Sequence, residues 1–307
     1  MNKSNRNKTI DLSIEEGREY LNRCKSVGQP VTLPDILDST ICGDTFAVMP
    51  YLPRGFADLI IADPPYNLTK DFHGNTFRQT DFESYLAFTE RWLDLATPLL
   101  KPNGSLYVCC DWWSSMVIGQ ALMKRFHIQN RITWQREKGR SAKANWKNCM
   151  EDIWFVTPDK AYTFNAEAVL HRRRVIAPYK NDGKPKDWEE TGEGSFRNTG
   201  ASNFWDDISV PYWSMPENTA HPTQKPEKLL AKLILASSRK GDMVFDPFLG
   251  SGSTSVTAKK LGRHYVGIEQ NEQYCVWAEK RLEDSEHNKT IQGYEDGIFW
   301  ERNARKK

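Results

Sequence analysis

The chain has 307 residues, enough for one large domain or two modest ones, and its net charge of +2 excludes a polycation that binds nucleic acid through bulk charge. Its six cysteines include no CxxC pair, so we expect reduced thiols and no zinc site. Neither a bilayer-spanning apolar run nor a signal-peptide pattern is found, and we therefore expect a cytoplasmic protein.

Apolar strands alternate with amphipathic helices in the first half of the chain. Continuous apolar runs such as "ADLIIAD" are typical of strands buried on both faces of a parallel sheet. The predicted elements are a helix over 13–28, strands over 40–44 and 57–63, a helix over 81–100, a turn at "KPNG", a strand over 105–111 and a helix over 114–126. This alternation predicts an α/β fold with a doubly wound sheet.

The pattern breaks between about Gln135 and Ala220 and then resumes. The middle contains two strand-like pieces, "DIWFVTP" and "AYTFN", but is otherwise rich in Arg, Lys, Gly, Asn and Trp, which indicates an insertion. The second half predicts a helix ending at Gly241, a strand over 242–246, a glycine loop, a helix over 255–262, a strand over 263–269 and a helix that begins after the N-cap residue Asn271.

The glycine loop "DPFLGSGST" has the features of a nucleotide-binding turn. Gly250 and Gly252 allow a tight turn and close approach of a ligand, and the next helix presents free N–H groups. Glu269, at the tip of the following strand, can accept both hydrogen bonds of a ribose diol. No GK[ST] follows, and Ser253 and Thr254 replace the third glycine of a dinucleotide fingerprint. The pattern favours S-adenosylmethionine, a ligand with a ribose and a carboxylate, and a tight turn without a ligand is the alternative.

The stretch "DPPY" ends the buried strand over 57–63. Pro64 and Pro65 fix the backbone and remove two N–H groups, while their carbonyls remain as acceptors. Asp63 and the Pro64 carbonyl can accept the two hydrogens of an exocyclic amine, and the ring of Tyr66 can stack on a planar base. These four residues are therefore the predicted catalytic set, and a rigid proline turn without chemistry is the alternative.

Together the two motifs resemble those of the S-adenosylmethionine-dependent DNA amino-methyltransferases. "DPPY" resembles their catalytic motif, and Phe248, Gly250 and Gly252 match their FxGxG motif. The catalytic motif comes first, as in the β group of the family. DPPY is more usual in N6-adenine enzymes and SPPY is common in N4-cytosine enzymes, so adenine is favoured. The resemblance implies a Rossmann-like, mostly parallel sheet of seven strands with an inserted target-recognition region.

The resemblance also implies domain limits and further cosubstrate residues. The implied divisions are an N-terminal extension over 1–39, a catalytic domain over 40–135 and 221–283, a recognition region over 136–220 and a tail over 284–307. The expected cosubstrate set, apart from the glycines and Glu269, is Asp44, His221, Lys225, Asp246, Phe248 and Ser253. Lys225 of "HPTQKP" is expected to pair with the methionine carboxylate. A proline-bounded helix start is the alternative for Lys225, as a strand-end turn is for Asp44.

Double-stranded DNA is the expected partner, because the insertion carries two basic clusters that can bind phosphates. A target amine must leave the duplex to reach Tyr66. The basic residues expected to contact DNA are Arg136, Lys138, Arg140, Lys143, Arg172, Arg173 and Arg174. A second copy of the chain and a separately acting restriction endonuclease are the other partners that the resemblance suggests.

Four other functions compete with this interpretation. N4-cytosine methylation would use the same scaffold. A protein amide methyltransferase would carry Asn in place of Asp63 and leaves the basic insertion unexplained. A nucleotide-dependent dehydrogenase lacks a complete glycine pattern, and a non-catalytic DNA-binding module would need neither the glycine loop nor Glu269.

Overall fold

A computed structural model of the chain describes residues 4, 6–72, 75–136, 145–175, 180–182, 184–185, 187–192 and 194–301. The α-helices within these residues are α1 (Arg18–Leu21), α2 (Leu33–Ile36), α3 (Thr45–Val48), α4 (Phe82–Ala96), α5 (Trp112–Met123), α6 (Glu227–Ser237), α7 (Ser253–Lys260) and α8 (Glu272–His287). Short 3-10 helices cover Met49–Tyr51, Thr97–Leu99 and Ala166–Val169. Among the described helices, none combines the length and the apolar character that crossing a membrane requires.

The strands of the described residues form two large sheets and two small hairpins. They are β1 (Ser39–Cys42), β2 (Ala57–Ala62), β3 (Lys70–Phe72), β4 (Asn75–Phe77), β5 (Leu100–Asp111), β6 (His127–Gln135), β7 (Met150–Thr157), β8 (His171–Arg174), β9 (Lys180–Asn181), β10 (Lys184–Pro185), β11 (Glu189–Thr191), β12 (Gly194–Thr199), β13 (Phe204–Trp205), β14 (Met243–Asp246), β15 (His264–Glu269), β16 (Tyr294–Glu295) and β17 (Ile298–Trp300). β3 pairs with β4, and β9 pairs with β10.

The central sheet confirms the predicted doubly wound α/β fold. Its order is β1-β15-β14-β2-β5-β7-β6-β13, and every pair is parallel except the two that β7 makes with β5 and β6. The described sheet has eight strands, not seven, because the two-residue β13 from the insertion joins its edge. One apolar cluster lies between the sheet and α4 and α5, and another between the sheet and α6 and α7.

Local capping explains where the long helices begin. The Asp81 and Asp111 side chains accept hydrogen bonds from backbone N–H groups in the first turns of α4 and α5. Asn271 accepts from the backbone N–H groups of Gln273 and Tyr274, which confirms it as the N-cap of α8. These caps fix the helices that pack on the strands bearing the predicted motifs.

The second sheet combines the insertion with residues near the C-terminus. Its order is β11-β12-β8-β17-β16, and β17 pairs in parallel with β8. A buried ionic cluster fastens this sheet to α6: Lys228 Nζ lies 2.6 Å from Asp207 Oδ2 and donates to the Trp300 carbonyl at 2.8 Å. Lys232 Nζ lies 3.4 Å from Asp207 Oδ1.

Several predicted element boundaries differ from the observed ones, whereas the domain limits stay a prediction. β7 and β13 lie inside the predicted recognition region yet belong to the central sheet, and β16 and β17 of the predicted tail belong to the second sheet. "KPNG" lies within β5, where the register of the pairing with β2 shifts between Ala57–Leu100 and Leu59–Ser105. "AYTFN" forms no strand, and the first helix covers only Arg18–Leu21.

Candidate active site

Acidic residues end three neighbouring strands at one edge of the central sheet. Asp63 follows β2, Asp246 ends β14 and Glu269 ends β15, and these strands are adjacent and parallel. Carboxyl ends of parallel strands meet at the same edge, where open α/β folds bind their ligands. A single cavity of about 490 Å³ is lined by both predicted motifs, from Asp63 to Tyr66 and around the glycine loop to Glu269.

The glycine loop needs glycine at both predicted positions. Gly250 and Gly252 have positive φ angles of +56° and +84°. A Cβ on Gly252 would lie 2.7 Å from the Cβ of Ala278, so α8 packs directly on the loop. Arg281 donates to the Ser251 carbonyl at 2.7 Å and to the Ser253 hydroxyl at 2.9 Å. The loop is therefore held from below while the N-terminus of α7 lines the cavity.

Glu269 connects the end of β15 to the glycine loop. Its Oε2 accepts from the Gly250 N–H at 2.8 Å, and its Oε1 accepts from the Asn271 N–H at 2.8 Å. Burial raises the pKa of Glu269 to about 7. A carboxylate offers about four acceptor positions, so the two backbone bonds leave capacity for a diol.

Asp246 is the second buried acid of this half of the cavity. Its Oδ1 accepts from the Phe248 N–H at 2.9 Å, which holds the start of the loop. Burial raises the pKa of Asp246 to about 7 as well. Both acids thus titrate near neutral pH, which is common for groups in functional cavities.

The remaining predicted cosubstrate residues also line the cavity. Asp44 is exposed and caps α3, accepting from the Ala47 N–H at 3.0 Å. Phe248 packs edge-on against Trp92, with ring centroids 5.7 Å apart. His221 packs edge-on against Tyr274 at 4.4 Å and covers Gly250, where a Cβ would lie 3.2 Å from its Nε2.

The proline-bounded tip forms the other half of the cavity. The Tyr66 hydroxyl donates to Asp63 Oδ1 at 2.8 Å. The Pro65 carbonyl accepts from the buried Tyr85 hydroxyl at 2.9 Å, which fixes the second proline from below. Burial and then the nearby carboxylates of Asp63 and Glu151 raise the pKa of Tyr66 well above its usual value. Tyr66 is therefore a neutral phenol, able to donate and to stack.

Lys225 lies at this tip. Its Nζ is 2.5 Å from Asp63 Oδ2 and 3.0 Å from the Tyr66 hydroxyl. Glu151, which the sequence analysis did not single out, lies 3.5 Å from the same Nζ through its Oε2. That Lys225 pairs with a cosubstrate carboxylate stays a prediction, but in this structure its ammonium contacts the carboxylate of Asp63.

The predicted DNA-binding residues fall into three groups. Arg136 lines the cavity and pairs with Glu151, and its contact with DNA stays a prediction. Lys138, Arg140 and Lys143 lie outside the described residues. Arg172, Arg173 and Arg174 form β8 of the second sheet.

The three arginines of β8 have different surroundings. Arg172 pairs with Glu189 at 2.9 Å and packs over the rings of Phe196 and Trp300, at 5.4 and 5.6 Å, so it has a structural role in the sheet. Arg173 Nε lies 3.9 Å from a Glu301 oxygen, and the Arg173 side chain is 40% exposed. Arg174 packs over Gly194, where a Cβ would lie 3.2 Å from its guanidinium.

A doubly wound sheet whose glycine loop shares a cavity with an Asp-Pro-Pro-Tyr tip defines the class of α/β amino-methyltransferases. Among the described residues, no cluster of three or more His, Cys, Asp or Glu side chains could hold a metal ion. The chain belongs to the DNA methylase family, whose model matches residues 57–280.

Comparison with characterised proteins supports this assignment. The chain is 35% identical over 251 residues to the Type II methyltransferase M.HpaI of Haemophilus parainfluenzae, covering 81% of this chain and 74% of that protein. It is 34% identical over 269 residues to the DNA adenine methyltransferase YhdJ of Escherichia coli (strain K12), covering 84% of this chain and 87% of that protein.

Two solved structures share the fold. The complex of M1.HpyAVI with SAM aligns with a TM-score of 0.52 at 24% identity, covering 79% of this chain and 98% of that chain. The PvuII DNA methyltransferase (cytosine-N4-specific) aligns with a TM-score of 0.59 at 16% identity, covering 86% and 94%. At these identities the likeness concerns the fold.

Proposed function

We propose that this DNA methylase transfers a methyl group from S-adenosyl-L-methionine to the N6 amine of an everted adenine at a specific site in double-stranded DNA. One observation carries the proposal: the Asp63–Tyr66 tip and the glycine loop with Glu269 line the same cavity. A donor and an acceptor bound at these two places would lie side by side, and methyl transfer depends mainly on such positioning.

The glycine-loop half of the cavity fits the cosubstrate. Glu269 retains acceptor capacity for the two ribose hydroxyls, and Asp44, Phe248 and His221 border the same space. Asp246 at the end of β14 and Ser253 at the start of α7 line the same cavity. When bound, S-adenosyl-L-methionine supplies an electrophilic methyl group on a sulfonium.

The tip half fits an exocyclic amine on a planar base. The lone pair of such an amine is delocalised, so the amine is a poor nucleophile. Asp63 and the Pro64 carbonyl accept its two hydrogens, favour a tetrahedral nitrogen and stabilise the positive charge that develops there. Asp63 takes the proton after the new N–C bond forms, and the Tyr66 ring holds the base by stacking.

Eversion of the target nucleotide costs a few kcal/mol, which contacts with the remaining DNA must offset. Arg173, the half-exposed arginine of β8, is our first candidate for a phosphate contact, together with Lys138, Arg140, Lys143 and Arg174. Arg136 is assigned to the cavity and Arg172 to the stability of the second sheet.

Adenine is proposed over cytosine on sequence grounds. The fold does not distinguish the two, because a cytosine-N4-specific enzyme shares it. The acid of "DPPY" and the 34% identity to a DNA adenine methyltransferase both favour adenine. The relative M.HpaI is a Type II methyltransferase, which favours a restriction-modification role with a separate endonuclease in the cytoplasm. A homodimer is part of the same proposal.

The test is to incubate the protein with methyl-labelled S-adenosylmethionine and duplex DNA, digest the DNA and identify the labelled nucleoside. We expect label in N6-methyladenine, and a rate about 10²–10³-fold lower for Asp63→Ala because an acceptor at the reacting amine is lost. Label in N4-methylcytosine would support the nearest alternative, and DNA without label would refute both.

A further inference from the structure

Four charged side chains contact one another in succession at the Asp63–Tyr66 tip, and they are Asp63, Lys225, Glu151 and Arg136. Asp63 Oδ2 contacts Lys225 Nζ at 2.5 Å, and the same Nζ lies 3.5 Å from Glu151 Oε2. Glu151 also pairs with Arg136, and its Oε2 lies 3.2 Å from the Tyr66 hydroxyl oxygen. The Lys225 and Glu151 side chains are only 7% and 1% exposed, so these interactions are shielded from water.

The charges in this row are balanced, with two acids and two bases. Burial alone would lower the pKa of Lys225, but the carboxylates of Asp63 and Glu151 outweigh it and the net pKa is raised. Lys225 is therefore a fixed ammonium and cannot accept the proton that leaves the target amine. The raised pKa of Tyr66 likewise keeps it protonated.

We propose that Lys225 and Glu151 are positioning residues for methyl transfer: Lys225 holds Oδ2 of Asp63, and Glu151 holds Lys225. This inference rests on the proposed function and deepens it. The ammonium of Lys225 holds Oδ2 of Asp63, and in this structure Oδ1 accepts from the Tyr66 hydroxyl. We infer that Oδ1 is the oxygen that accepts from the target amine when the base is bound.

Arg136 extends this row toward the segment predicted to bind DNA. It pairs with Glu151 at the end of β6, and its backbone N–H donates to the Cys149 carbonyl at 2.6 Å across the β6–β7 pair. Lys138, the next predicted DNA contact, lies two residues further along the chain.

Two alternative roles of Lys225 predict different effects of its substitution on cosubstrate affinity and on the rate of methyl transfer. A lysine that pairs with the cosubstrate carboxylate governs cosubstrate affinity, whereas a lysine that positions Asp63 governs the rate at saturation. The variants are Lys225→Met, Lys225→Arg and the isosteric Glu151→Gln. The control is Lys101→Met, which removes a more exposed Lys–Asp pair, with Asp58 at 2.7 Å, from the other end of β2.

Three quantities are measured for each folded variant: the cosubstrate Kd by calorimetry, the DNA Kd, and the single-turnover rate at saturation as a function of pH. We expect Glu151→Gln and Lys225→Met to keep the cosubstrate Kd within about threefold and to lose about 10- to 100-fold in rate, as small misplacements of reacting groups do. Lys225→Arg should recover part of the rate, and Lys101→Met should match the wild type.

The pH profile gives a readout that a purely structural role would not change. Loss of the ammonium makes a neighbouring carboxylate easier to protonate, so the acidic limb of the rate should move to higher pH in Lys225→Met. Five other titratable side chains surround Asp63 and are not substituted in Lys225→Met: Glu151, Tyr66, Tyr85, Cys109 and Asp246.

A cosubstrate Kd raised more than about 30-fold in Lys225→Met with a wild-type rate at saturation would overturn the inference. A wild-type rate in Glu151→Gln would also overturn the inference. If Lys225→Met does not fold, the rates and the cosubstrate Kd values of Glu151→Gln and Lys225→Arg provide the test. The proposed function fails on a different result, namely wild-type protein that leaves DNA unmethylated.

Discussion

Replacing Glu269 by Gln removes the charge of the predicted ribose acceptor and keeps its shape. In the wild type, the two carboxylate oxygens accept from the Gly250 and Asn271 N–H groups, both at 2.8 Å. An amide has only one acceptor oxygen, and each carboxylate oxygen of Glu269 accepts from a backbone N–H, so in either orientation the NH₂ group faces a backbone donor. The variant therefore loses at least one of these hydrogen bonds in the bound state.

The size of the effect follows from the kind of bond that is lost. A hydrogen bond to a charged acceptor contributes about 1.5–3 kcal/mol, so the Kd for the cosubstrate should rise about 10- to 150-fold. Release of the Gly250 N–H would loosen the glycine loop and move the result toward the upper end. The neutral amide avoids the cost of burying a charge, so we expect the fold to remain stable.

Calorimetric titration with S-adenosylmethionine and S-adenosylhomocysteine measures this change without DNA or turnover. Glu272→Gln is the matched control, because Glu272 is an exposed acid in the first turn of α8. The cosubstrate Kd of this variant should equal that of the wild type. A folded Glu269→Gln protein with a Kd within threefold of the wild type would refute the assignment of Glu269 as the ribose acceptor.

The other predictions concern pH, packing and DNA. Because burial raises the pKa of both Glu269 and Asp246 to about 7, cosubstrate affinity should rise with pH from 6 to 8 and then level off, and calorimetry in which the affinity falls over that range would contradict this sign. Gly252→Val should lower the free energy of unfolding by about 2–5 kcal/mol through its positive φ and the clash with α8, as denaturant titration would show; Gly28→Ala, with open space around it, is the control. Arg173→Gln should weaken DNA binding and reduce its salt dependence by about one phosphate contact, and an unchanged slope of log Kd against log salt would remove Arg173 from the interface.

The features that the sequence predicted well depend on local patterns. The run before Asp63 is apolar at every position from Leu59 to Ala62, which predicted a buried strand, and the paired glycines before α7 required a tight turn. Asn271 followed a strand and preceded an amphipathic run, which is the usual setting of an N-cap. Parallel strand order then brought the two motifs to one edge.

The features that the sequence missed depend on contacts between distant residues. Glu151 is the second residue of β7 and looks like an ordinary surface acid, yet it is buried and pairs with Arg136 and Lys225. Nothing near Lys225 in the sequence indicates that it reaches Asp63, which lies 162 positions earlier. Pairing across such distances leaves no periodic pattern in either segment.

The parallel pairing of β17 with β8 has a consequence for biosynthesis. β8 acquires this partner only after residue 299 has left the ribosome. The strands that carry the Asp63–Tyr66 tip and the glycine loop end earlier in the chain, the last of them at Glu269. The second sheet is therefore completed after these strands have been synthesised.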